Sequence, residues 1–118
     1  MATSWKQIVA IGRALPEVTE DLWYRTPSLK VRGKGFVRLR EDGENVVFVL
    51  DSLEEQAFLI ESQPKVFHIT DHYRGHAMVL ARLAQLSIET CRERVEQAWL
   101  ARAPRSLISS IKTQRARR

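Results

Sequence analysis

Ser28-Leu29-Lys30-Val31-Arg32-Gly33-Lys34-Gly35-Phe36-Val37-Arg38-Leu39-Arg40 decides the fold. Its apolar residues recur at every second position, the period of a strand with one face on a core. Leu29, Val31, Val37 and Leu39 point one way. Lys30, Arg32, Phe36, Arg38 and Arg40 point the other, provided the turn at Arg32-Gly33-Lys34 keeps register. The stretch is therefore expected to be a hairpin with a basic face. Asp42-Gly43 tolerates the positive φ of a tight turn, so Val46-Val47-Phe48-Val49-Leu50 follows as a third, doubly covered antiparallel strand.

Outward from the hairpin, helical signals flank the strands. Ser4 with Gln7 has capping-box spacing, and Trp5, Ile8, Val9 and Leu15 recur at helical intervals until Pro16, which should stop the helix near Ala14. Glu17 to Asp21 is expected to be an acidic connector. Ser52 with Glu55 opens a short helix that ends before Pro64. Val66–Ile69 and Ala77–Ala81 are two more apolar strands around a loop. Ser87 caps the last long helix, whose apolar stripe is Ile88, Cys91, Val95, Ala98 and Trp99. Pro104 interrupts it, and a short amphipathic piece with Leu107, Ile108 and Ile111 follows.

The expected order is α-β-β-β-α-β-β-α. Strands in runs imply an α+β class with an antiparallel sheet. The helices are expected mainly on one face, leaving part of the opposite face open. At 118 residues the chain suits one domain, residues 1–112, with a basic flexible tail at 113–118.

Composition narrows the function classes. Apolar residues make up 44% and charged ones 28%, an ordinary globular mix. No apolar run approaches the roughly 20 residues that span a bilayer, so no membrane association is expected. No secretory leader is visible and Cys91 is the sole cysteine, which point to a cytoplasmic, reducing location. The net charge of +5 is unevenly spread. Between Asp21 and Glu41 stand Arg25, Lys30, Arg32, Lys34, Arg38 and Arg40 with no acid, and a second basic group follows Glu96. Such a distribution suits a polyanion.

His68, His72 and His76 fall within nine positions. On a helix their spacing would face three imidazoles one way, but Gly75 and the flanking strands make the segment strand-loop-strand, so no metal site is expected. No Gly-x-Ser-x-Gly elbow or His-Glu-x-x-His is present, and Gly33-Lys34-Gly35 lacks the frame of a phosphate loop. No catalytic residue and no cofactor are therefore expected, although a convergent acid/base group of Asp71, His72 and Tyr73 leaves no sequence signature. The candidate site is a nucleic-acid interface. Lys30, Arg32, Lys34, Arg38, Arg40 and Arg74 would meet phosphates, while Tyr73, His72 and Phe36 could stack on bases. Low-specificity DNA binding through the basic hairpin face is the leading expectation; a protein-interaction or chaperone-like module with an open sheet face, or a small-molecule-binding or resistance protein with its site beside His72 and Tyr73, are the alternatives.

Several stretches together resemble the MmcQ/YjbR family. They are residues 14–20 (Ala-Leu-Pro-Glu-Val-Thr-Glu), 27–39 (Pro-Ser-Leu-Lys-Val-Arg-Gly-Lys-Gly-Phe-Val-Arg-Leu), 64–67 (Pro-Lys-Val-Phe), 71–76 (Asp-His-Tyr-Arg-Gly-His), 96–99 (Glu-Gln-Ala-Trp) and 103–104 (Ala-Pro). The resemblance implies a small α+β domain with a CyaY-like (frataxin-like) arrangement, a bacterial source and DNA binding through a double wing, with no catalytic residues to transfer. Frataxin-like topology also raises iron binding. That activity leans on an acidic first helix, whereas here the first helix carries Lys6 and Arg13.

Overall fold

The computed structural model describes residues 2–116, with side-chain surroundings through residue 110. Helix α1 (Trp5–Arg13) leads into a meander of four strands: β1 (Val18–Trp23), β2 (Thr26–Val31), β3 (Lys34–Leu39) and β4 (Asn45–Val49). Then come α2 (Leu53–Ser62), β5 (Phe67–His68), a 3-10 turn (Asp71–Tyr73), β6 (Met78–Arg82), a second 3-10 turn (Leu83–Gln85), α3 (Ile88–Arg102) and α4 (Arg105–Ala116). The six strands form one antiparallel sheet in the order β1-β2-β3-β4-β6-β5. The class is α+β, as expected.

Three helix starts follow the sequence signals. Ser4 and Gln7 close a full capping box, and Ser52 and Ser87 accept from the backbone N–H three residues on. Each satisfies a donor that the first helical turn leaves unpaired. The core lies between the helices and one sheet face. Leu29, Val31, Val37, Phe48, Val79 and Ala81 meet Ile8 of α1, Leu59 of α2, Val95 and Trp99 of α3 and Leu107 of α4. The Trp99 indole N–H also donates to the Pro16 carbonyl at 3.1 Å, tying α3 to the chain between α1 and β1.

Four expectations are corrected. The supposed acidic connector is an edge strand, β1, in full register with β2 from Val18↔Val31 to Trp23↔Thr26. Its acids face solvent, and only Val18 is buried. Second, Phe36 does not share a face with Arg38. The β2–β3 register shifts between Leu29 and Lys30, which pair with Val37 and Gly35, so Phe36 has no opposite residue. This bulge turns Phe36 and Val37 both into the core. Third, Arg32 lies in the turn, with φ 48° beside Gly33 at φ 82°, not on a strand face. Fourth, the piece beyond Pro104, expected to be short, is the helix Arg105–Ala116. Residues 117 and 118 of the expected tail lie outside the described residues.

Candidate functional site

The sheet face away from the helices bears a small apolar cluster of Val47, Leu80 and Tyr73, flanked by Ile69 and Met78. The histidine loop reaches over it. Thr70 and Asp71 carbonyls accept from the N–H groups of Tyr73 and Arg74, and the Tyr73 carbonyl accepts from His76. The Gln56 side chain of α2 donates to the His76 and Met78 carbonyls at 2.8 and 2.7 Å, fixing the far end of the loop. Tyr73, 4% exposed, is thereby driven onto the sheet with its hydroxyl toward β3.

Arg38 and Arg40 meet that hydroxyl. Arg38 Nη2 donates to Tyr73 Oη at 2.8 Å and Arg40 Nη1 at 3.1 Å. Arg38 Nη1 also donates to Thr26 Oγ1 at 3.1 Å and Glu41 Oε1 at 3.0 Å. Arg38 is only 5% exposed, so it is a buried member of a hydrogen-bonded network and not the free surface cation expected from the strand pattern. A buried guanidinium requires such partners to offset its desolvation.

Three of the other expected phosphate contacts are also engaged. Lys30 pairs with Asp21 at 3.2 Å. Arg32 grips Glu17 through Nε and Nη2, both at 2.9 Å, and this contact holds the Glu17 carboxyl below its usual range. Arg74 pairs with Asp71 at 2.8 Å. Lys34 is exposed and has no ion pair among the described residues. The chain segment free of acids is thus brought against Glu17, Asp21 and Glu41, which lie just outside it in sequence.

Two adjoining concavities share the wall formed by Tyr24, Arg38, His72 and Tyr73. One, of about 170 Å³, is completed by Trp23, Val47, His76 and Met78. The other, of about 210 Å³, is completed by Arg40 and Glu41. A third hollow at Gly43, Glu44, Asn45, Arg82, Leu83 and Ala84 has no aromatic side chain. His72 meets Tyr73 edge-on, 4.9 Å between centroids. His68 turns away and bonds Asn45 Oδ1 at 2.8 Å. The three histidines are thus divided between the wall, the pocket and β5, and no three metal-ligating side chains converge among the described residues.

Sequence reasoning overlooked Trp23, Tyr24 and Glu41. Tyr24 and Arg25 form the β1–β2 turn with φ 54° and 65°, a region that side chains with a Cβ enter at a cost. The Tyr24 ring is 71% exposed, stacks on Trp23 at 5.9 Å and lies 5.3 Å from the Arg38 guanidinium carbon. Gly35 makes this possible, because a Cβ there would penetrate the Trp23 ring. The available signal was the adjacent Trp-Tyr-Arg between two alternating runs, which a turn would place at a hairpin tip.

Comparison with known proteins bears on the same residues. The YjbR family model matches residues 13–101, from the end of α1 through most of α3. The chain belongs to the YjbR family. It is 36% identical over 53 residues to an uncharacterized protein of Mycobacterium bovis and to uncharacterized proteins from two strains of Mycobacterium tuberculosis. Those alignments cover 45% of this chain and 41% of each relative, so the chain matches less than half the length of these curated relatives. No solved structure matches it, and the CyaY-like arrangement implied by the resemblance therefore rests on no structural likeness. Among the described residues, no helix is long and apolar enough to cross a membrane.

Proposed function

We propose that this YjbR-family chain is a non-enzymatic nucleic-acid-binding module that takes an unpaired base on the uncovered sheet face. The carrying observation is the Tyr24 ring, exposed at a strained hairpin tip and backed by Trp23 and Arg38. Strained conformations persist where surrounding structure over-determines them, and they concentrate at binding sites. An aromatic face backed by guanidinium suits base stacking, which single-strand binders use with little sequence preference. Duplex binding through the hairpin would have to compete with Glu17, Asp21 and Glu41 for its cations, whereas stacking on Tyr24 breaks no ion pair. The non-enzymatic part of the reading is supported by Cys91, whose thiol is buried in the core and pushed up to about 11 by burial, and by the absence of any histidine bonded to a hydroxyl or thiol among the described residues.

The test is fluorescence anisotropy with a labelled oligothymidylate and the corresponding duplex. Single strand should bind more tightly than duplex, and Tyr24→Ala should weaken it by about fivefold or more, as one lost stacking contact of about 1–3 kcal/mol requires. Single-strand binding that is no tighter than duplex binding, or that is equal in wild type and Tyr24→Ala, would overturn the reading. The pocket beside His72 and Tyr73 also supports a second reading, a free small molecule as occupant. A mononucleoside that binds as tightly as the strand would favour it.

A further inference from the structure

The carboxylate of Glu41 occupies an unusual position. It is 61% exposed, yet it lies 3.0 Å from Arg38 Nη1 and 3.7 Å from Arg40 Nε. Its own backbone N–H and then Arg38 hold its carboxyl below the usual range. The Arg40 contact is too long for a hydrogen bond, and Arg40 Nε is a buried donor with no hydrogen-bond partner among the described residues. Tyr73 Oη already accepts from both arginines, so its own proton must point elsewhere. Arg38, Arg40 and Tyr73 all line the 210 Å³ concavity that Glu41 lines, and they bring to it the Arg38 N–H that Glu41 now holds and the unpaired Nε–H of Arg40 beside it. A buried donor left unpaired is costly. A larger anion with several acceptor oxygens would satisfy it where one flexible carboxylate does not.

From this we infer that the Arg38–Arg40–Tyr73 cluster is a phosphate subsite and that Glu41 is its displaceable internal occupant. The inference rests on the strand-binding reading for the source of the phosphate, a nucleotide whose base lies in the adjoining pocket of Trp23 and Tyr24. The two concavities share Tyr24, Arg38, His72 and Tyr73, so base and phosphate would be held on either side of one wall. The Arg38 bonds to Thr26 and Tyr73 remain in place when Glu41 leaves. Exchange of Glu41 for phosphate therefore asks for rotation of one exposed side chain and leaves the buried network intact.

The experiment is a ¹⁵N-NMR titration that follows the side-chain Nε–H of Arg40, with inorganic phosphate, thymidine and thymidine monophosphate as probes. Phosphate and the monophosphate should shift the Arg40 Nε–H resonance, and thymidine should leave it in place. Glu41→Gln, which removes the competing charge, should tighten phosphate binding by about fivefold, in line with loss of one exposed ion pair. Arg40→Gln should abolish the phosphate-induced shifts of the Arg38 Nε–H and of the backbone amides around Glu41 and Tyr73, with the rest of the backbone spectrum reporting an intact fold. The subsite is overturned if neither phosphate nor monophosphate perturbs Arg40 in wild type or Glu41→Gln. It is equally overturned if Glu41→Gln binds phosphate more weakly than wild type. Oligothymidylate binding that survives in that case would leave the strand-binding reading standing. Phosphate binding without strand binding would separate the two in the opposite direction.

Discussion

Arg38 shows how differently one residue type behaves at two positions of the same hairpin. Arg32, in the turn, holds Glu17 in a bidentate pair whose partners are both about half exposed. Such pairs contribute little, because water screens the attraction and two long side chains must be ordered. Arg32→Ala should therefore leave the denaturation midpoint almost unchanged. Arg38→Ala should cost about 2–3 kcal/mol, since it deprives Thr26, Glu41 and the buried Tyr73 hydroxyl of a shared donor group and leaves a void beside Val47. Urea denaturation of the two variants would check the contrast, and equal midpoints would refute it. Tyr73→Phe is the complementary probe. It strands one N–H each on Arg38 and Arg40, and a loss of about 1–2 kcal/mol is expected.

At the scale of elements, the β1–β2 hairpin gives up stability to hold its aromatic tip. A two-residue turn with positive φ at both central positions favours Asn-Gly, whereas this chain has Tyr24-Arg25. Replacing the pair by Asn-Gly should stabilise the protein by about 1–2 kcal/mol, the strain of left-handed backbone, while weakening single-strand binding as much as Tyr24→Ala does. Thermal melting and anisotropy would read the two effects, and a loss of stability would show that the Trp23 and Arg38 contacts outweigh the strain. The same hairpin explains what the sequence made legible. β2, β3 and β4 were readable because Leu29, Val31, Val37 and Val46–Val49 alternate or run continuously against the core. β1 was not, because an edge strand with one buried residue has no alternation to detect. The Phe36 bulge was equally hidden: one inserted residue shifts the face of what precedes it without changing composition. Arg38 pointed to the correct face, but its burial depends on Tyr73, distant in sequence and delivered by a loop whose closure only the tertiary structure supplies.

For the whole molecule, acid should act through two groups of residues in succession, and both have the same sign. His68, partly buried and near the charges of Arg82 and Arg40, has its pKa lowered from the ordinary 6.5. The unfolded chain therefore takes up a proton there before the folded one, so this stabilisation is present above pH 6.5 and is lost as pH falls through the lower folded value. The carboxyls follow. Glu17 is held low by Arg32, Asp21 by the Leu22 N–H and then Lys30, and Glu41 by its own N–H and Arg38. In Asp42, burial works in the opposite direction, but hydrogen bonds from Asn45 and Glu44 outweigh it. Their shared contribution is present above the ordinary carboxylate values of 3.8 to 4.5 and disappears below them. Neutralising acids also raises a net charge that is already +5 at pH 7, so self-repulsion adds to the loss. Melting temperature should consequently decline gently below about pH 6.5 and steeply below about pH 4. His68→Gln should flatten the upper decline alone, since glutamine can still donate to Asn45 but takes up no proton. Parallel melting curves for wild type and variant between pH 7 and 5 would assign that decline to another group.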